Sequence, residues 1–242
     1  MMDGTMELTA DGAQKDERTA KMVLYIGIFS IVMLFAGLSS AYVISSHNEI
    51  WVQISMPMGF YISTGLISLS SLTISLAVKA AERGAEAAMK QWVLLTLLLG
   101  LGFGVSQFMA WSELTAKGNY LSSHIDNLDG EYGKDYEIMY RGEALVYENE
   151  EFYLPGDALR EKPMMNEIAI YGNSASSYLY ILSAVHLLHV LGGIIFLFVL
   201  ALLIFFARFK NQMPMRLRLG ATYWHFVDGL WIYLFLFLLF IH

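Results

Sequence analysis

Long apolar runs alternate with short polar breaks along this chain. A helix rises about 1.5 Å per residue, so crossing about 30 Å of hydrocarbon takes roughly 20 mostly apolar residues. Five stretches reach that length: Met22–Ser45, Gly59–Val78, Trp92–Trp111, Tyr178–Ala207 and Ala221–Ile241. The fourth is long enough to protrude or tilt. The pattern predicts an all-α membrane protein, a five-helix transmembrane bundle. Residues 1–18 are polar and acidic, with no apolar core before a small-residue cleavage site. They read as a disordered cytoplasmic tail and not as a signal peptide. The expected organisation is a tail over 1–18, helices one to three over 19–114, a long connection over 115–177, and helices four and five over 178–242.

Charge orients the helices. Lys15, Arg18 and Lys21 flank the first helix, and the break from His47 to Met58 has no Lys or Arg. Lys79, Arg83 and Lys90 follow the second helix, and Arg208, Lys210, Arg216 and Arg218 lie between the last two. Basic residues thus recur at every other break, which places the N-terminus inside and the C-terminus outside. The connection from Thr115 to Ser177 then falls outside. It carries twelve carboxylates, from Asp126 to Glu167, against Lys117, Lys134, Arg141, Arg160 and Lys162. Unstructured loops of that length are uncommon. The run Ile138–Leu154 is rich in Tyr, Val, Phe and Leu, with polar breaks at Arg141–Gly142 and Glu148–Asn149, so a small external subdomain with a β-hairpin is expected.

Composition agrees with a bilayer. Hydrophobic residues make up 56% of the chain and charged residues only 15%, against about a quarter in soluble domains. Mean hydropathy is +0.50. The absence of cysteine removes disulfides, iron–sulfur ligation and thiolate catalysis. No Walker loop, dinucleotide turn or nucleophile elbow is present. No proline interrupts an apolar run and no internal repeat is evident, unlike many carriers. Small residues suited to close helix approach mark the helices: Ala36, Gly37, Ser40 and Ala41, then Ser68, Ser71 and Ser75, then Gly100 and Gly104, then Gly192 and Gly193.

Ionisable and polar residues inside the membrane are the candidates for function. His186 and His189 share one face of the fourth helix, and His225 and Asp228 one face of the fifth. Gln107 and Glu113 close the third. Histidine and carboxylate suit a metal or haem. Counting residues from the cytoplasmic ends, however, offsets the two pairs by about 15 Å along the membrane normal. Each pair alone supplies two ligands, short of a closed site. Structural hydrogen bonding or the anchoring of a lipid head group is therefore the expected role, with no metal in this chain.

These residues carry a resemblance. Tyr223-Trp224-His225-Phe226-Val227-Asp228, followed by Trp231, resembles the C-terminal signature of subunit III of haem–copper terminal oxidases, the cytochrome c oxidase subunit III family. His186-Leu187-Leu188-His189-Val190 resembles the H-x-x-H-V motif of its penultimate helix. Met33-Leu34-Phe35-Ala36-Gly37 with Ser40-Ala41-Tyr42, and Gln107, Trp111 and Glu113, resemble its first and third helices in the short five-helix bacterial form. The resemblance implies a non-catalytic accessory subunit of a proton-pumping respiratory oxidase, in the bacterial inner membrane. Such a subunit packs on subunit I, with subunit II in the same complex, holds phospholipid and supports proton uptake, while haem and copper reside in the partner subunits. It implies no nucleic-acid partner. Two family carboxylates are missing, at Ile31 and Ala110. The long acidic connection exceeds the family's usual one and suggests a further partner, such as a neighbouring respiratory complex. The alternatives are subunit III of a quinol oxidase, a subunit of a nitric oxide reductase-type complex, or a free-standing membrane enzyme or carrier using His186, His189, His225 and Asp228.

Overall fold

The computed structural model describes residues 3–206 and 213–241, with side chains from Glu17 onward. Arg208 and Lys210 lie outside the described residues. Five long helices carry the fold: α1 (Asp3–Ser46), α2 (Met58–Glu82), α3 (Glu86–Ala116), α5 (Ser174–Phe205) and α6 (Met213–Ile241). Each contains a window long and apolar enough to cross a membrane. The expected all-α membrane bundle is the architecture found.

The helices outrun their apolar cores at the ends. The backbone of residues 3–16, expected as a disordered tail, continues α1; the segment mixes helix formers such as Met6, Glu7, Leu8 and Ala10 with Gly4 and Gly12, which disfavour helix. α6 starts eight residues before the apolar run at Ala221. It takes in Pro214, read from sequence as a loop residue, and also Arg216 and Arg218. Proline is tolerated in a first turn, where its missing N–H has no helical partner to lose. An apolar-run criterion cannot see such a turn.

The chain divides into two compact units, and every long helix contributes to both. One comprises Met1–Phe35, Leu66–Leu101 and His189–Gly229; the other comprises Ala36–Gly65, Gly102–Leu188 and Leu230–His242.

The second unit holds the strands. β1 (Ile50–Ile54) pairs antiparallel with β2 (Tyr136–Tyr140), which pairs with β3 (Glu143–Ala144). β4 (Val146–Glu148) pairs with β5 (Glu151–Tyr153). The two hairpin turns fall at the polar breaks. Arg141 and Gly142 have φ of 51° and 87°, and Asn149 and Glu150 have 52° and 65°. Two consecutive positive φ values give the turn whose twist matches antiparallel strands. The pairing of β1 with β2 joins the short α1–α2 connection to the long one, through contacts such as Val52 opposite Ile138.

The base of the long connection is fastened. Asn173 caps α5, its Oδ1 accepting from the Ser176 N–H at 3.0 Å, while its Nδ2 donates to Asn119 Oδ1 at 3.0 Å. The Ser176 and Ser177 hydroxyls donate to the carbonyls of Tyr120 and Leu121, each at 2.7 Å. A short helix, α4 (Met165–Ile168), precedes this clasp.

Candidate functional site

In the first unit, α6 faces α2 through its aromatic motif. Trp224 is 1% exposed, and its indole N–H donates to Ser70 Oγ at 2.9 Å. The ring lies on two glycines. A Cβ on Gly100 would come within 2.8 Å of the indole, and one on Gly193 within 3.0 Å. Of the paired glycines on α3, Gly100 is thus the one in use, since a Cβ on Gly104 would meet nothing. Gly192, beside Gly193, has only the Tyr223 hydroxyl near, at 3.9 Å.

His225 also faces α2. Its Nδ1 lies 2.6 Å from Ser71 Oγ and its Nε2 3.1 Å from Ser75 Oγ. Asp228, one turn on, is buried with the Ser71 hydroxyl beside its carboxyl, and no cation or N–H reaches either oxygen. Serines expected only to let helices approach are therefore the partners of the α6 motif. No pattern within α2 alone reveals this, because it depends on which face of α6 they meet. His189 belongs to the same unit. Its ring meets Phe35 edge-on, with centroids 5.8 Å apart, and its carbonyl accepts from the Tyr223 hydroxyl at 3.0 Å.

That last bond corrects the expected stagger. With α6 starting at Met213, Asp228 lies fifteen residues from that end, roughly 22 Å. His189 lies sixteen residues from the end of α5 at Phe205, roughly 24 Å. The offset of about 15 Å came from starting α6 too late.

In the second unit, His186 is 0% exposed and set among aromatic rings. Its centroid lies 5.0 Å from that of Trp231 and 5.7 Å from that of Phe103. The Trp231 N–H donates to Thr64 Oγ1 at 3.0 Å. The two histidines of α5 therefore fall in different units and have separate surroundings. Gln107 is buried and donates through Nε2 to Ser63 Oγ at 2.9 Å. Glu113 accepts from the Met58 N–H at 3.2 Å, at the first turn of α2, where a negative charge is favoured. Its other oxygen accepts from Lys117 at 2.9 Å, and Lys117 also pairs with Asp135 at 3.0 Å. Ala110 packs against Gly59, where an added Cβ would lie 2.8 Å from the alanine Cβ. That approach leaves no room for a glutamate directed at Gly59.

Among the described residues no three His, Asp or Glu side chains converge as a metal site would require. A groove does open in the first unit among α1, α2 and α6, with a volume of about 430 Å³. Lys21, Lys79 and Arg218 line it with Glu17 and Glu82, and Ser75 and His225 form part of its wall.

The fold and its polar pairs define a five-helix polytopic membrane protein whose α5 and α6 motifs lock helices together. Residues 162–242, which hold both motifs, match the family model described as cytochrome c oxidase subunit III. A probable cytochrome c oxidase subunit 3 of Nocardia farcinica is 25% identical over 220 residues, covering 87% of this chain and 82% of the relative. The cytochrome c oxidase subunit 3 of Corynebacterium diphtheriae is 28% identical over 218 residues, with the same shares. A probable subunit 3 of Mycobacterium tuberculosis is 25% identical over 222 residues, covering 89% of this chain and 85% of the relative. The chain is thus similar to the cytochrome c oxidase subunit III family, by its last third to the family model and along most of its length to these relatives.

Proposed function

We propose that this chain is a non-catalytic accessory subunit of a respiratory oxidase in a bacterial plasma membrane, packed against a catalytic subunit that holds the haem and copper. The observation that carries this reading is how the motif side chains are used. Trp224, Trp231, Gln107 and Glu113 each bond a neighbouring helix, and His225 does the same through both ring nitrogens. Their chemistry is that of a scaffold, and among the described residues the donor set offers no closed coordination shell for a metal. The loop charges support a cytoplasmic N-terminus, with Lys79–Lys90 inside and the long connection outside.

The groove beside Lys21, Lys79 and Arg218 supports a phospholipid site. It combines cations for a phosphate with an apolar wall of Leu24, Val78 and Leu219. The long connection supports docking of a basic partner. Lys117, Lys134, Arg141 and Arg160 are all paired internally, at 2.7–3.0 Å. Asp126, Asp129, Glu143, Glu150, Glu161 and Glu167 stay exposed, and such a surface steers a partner of opposite sign at low salt.

The test is purification of the tagged chain from native membranes in mild detergent. Haem- and copper-bearing subunits should migrate with it, and the chain stripped from them should show no haem spectrum. A chain that purifies alone with stoichiometric haem or metal overturns the accessory reading.

A further inference from the structure

The contacts between α2 and α6 include a polar line that the scaffold reading leaves over. It starts at the groove among α1, α2 and α6, whose charged residues are Glu17, Lys21, Lys79, Glu82 and Arg218, with the phenol of Tyr25 beside them. Ser75 and His225 form part of the groove wall. From there the line runs inward through Ser71, 2.6 Å from His225 Nδ1. It ends at Asp228, which is 3% exposed, with the Ser71 hydroxyl beside its carboxyl and no cation or N–H on either oxygen.

A buried carboxyl that serves a structural purpose is normally paired or hydrogen-bonded, because an ion without partners inside a bilayer is costly. Even the half-buried Glu113 has a backbone N–H and a lysine on its two oxygens. Asp228 has only the Ser71 hydroxyl beside it, so no ion pair or N–H donor accounts for an acid at this position. The hydroxyl beside it is Ser71, the same group that holds His225. A hydroxyl donates one proton and accepts through its lone pairs. A rotation about the Cβ–Oγ bond therefore lets Ser71 serve either neighbour.

We propose that His225, Ser71 and Asp228 form a proton-exchange relay between the groove and the membrane interior. Inward transfer balances as follows. The Nδ1–H of a doubly protonated His225 passes its proton to Ser71 Oγ while the Ser71 O–H proton passes to the Asp228 carboxylate. The N–H and O–H bonds break as a new O–H forms on each oxygen. Histidine ends neutral, serine unchanged and aspartic acid protonated, and rotation of the hydroxyl resets the line. The imidazole proton left on Nε2 moves to Nδ1 by tautomer exchange, and the vacated Nε2 then takes the next proton from the Ser75 side. Outward transfer is the reverse. As a store that supplies protons to an oxidase, the relay rests on the accessory-subunit reading; proton exchange by Asp228 does not.

Infrared spectroscopy on the complex purified from native membranes tests the relay without an activity assay. The wild-type minus Asp228→Asn difference spectrum should contain the carbonyl stretch of a protonated acid, and that band should shift promptly when the buffer is changed to D₂O. Ser71→Ala and His225→Leu, which keep the acid and interrupt the line, should each slow the shift about tenfold or more. Ser68→Ala, on the same helix and off the line, should leave it unchanged. Where the Asn variant fails to assemble, Asp228→Glu makes the assignment by moving the band. An Asp228 band absent from the difference spectrum, a band that stays put in D₂O, or wild-type exchange in both Ser71→Ala and His225→Leu overturns the relay.

Discussion

The surroundings of Trp224 and of Trp231 share one solution and differ in everything around it. Both indoles lie on α6 seven residues apart, both are buried, and both donate their N–H to a hydroxyl of α2, at 2.9 Å to Ser70 and 3.0 Å to Thr64. Trp224 packs close to backbone at Gly100 and Gly193. Trp231 is surrounded by rings, with Phe60 at 5.5 Å, Phe103 at 5.3 Å and His186 at 5.0 Å between centroids. A buried donor must find an acceptor in either case. The packing differs because glycine brings a helix backbone close enough to touch the ring, whereas facing side chains hold it away at aromatic distances. The accompanying histidines differ likewise. His225 is exposed beside a groove, and His186 is sealed.

The largest effect should come from filling the glycine seat. Gly100→Leu or Gly193→Leu forces the indole out and should destabilise the detergent-solubilised protein by an amount at the top of the overpacking range of about 1–3 kcal/mol. Gly104→Leu, with open space around it, should leave the melting temperature near that of the parent. Equal losses at Gly100 and Gly104 would mean that Trp224 does not rest there.

The histidines should separate next. His186→Ala empties a space among buried rings and should cost about 2–5 kcal/mol, as for other large buried side chains. His225→Ala loses two hydrogen bonds at an exposed site, each worth about 0.6 kcal/mol on average in membrane proteins. The check is thermal unfolding followed by size-exclusion chromatography, and the reverse order would break the contrast between the two histidines' surroundings.

Replacing each tryptophan by phenylalanine keeps most of the ring and removes the N–H donor. The two losses should be small and alike, below about 2 kcal/mol, because the hydroxyl bond is the feature they share. A much larger loss for Trp224→Phe would show that the glycine seat reads the indole's shape as well as its hydrogen bond.

The smallest effect concerns the long connection. The Glu131 N–H at 2.9 Å, and after it Lys117, hold the Asp135 carboxyl below the usual carboxylate range. An acid held low in the folded state adds stability above its unfolded value, and that contribution disappears as pH falls through the folded value. Proteolysis of residues 126–167 should therefore quicken on acidification below the ordinary range, slightly because the site is partly solvated. Asp135→Asn should flatten that dependence.

The sequence by itself determined the five membrane helices, because their apolar lengths match the bilayer and lipid satisfies no backbone group. It also determined the two hairpin breaks, since Gly142 and the polar residues at 148–150 belong to tight turns, and it marked His186, His225 and Asp228 as unusual. The tertiary structure decided what each of these meets. β1 reads as a short β-branched and aromatic run, IWVQI, and only pairing with β2 makes it a strand. The serines of α2 look like spacers until α6 brings Trp224 and His225 against them. Helix ends, too, lay beyond an apolar-run reading, because Pro214, Arg216 and Arg218 continue α6 past its apolar core. Spacing along one helix places residues on a shared face; only the packing of another helix against that face settles whether a histidine is sealed among rings or opens onto a groove.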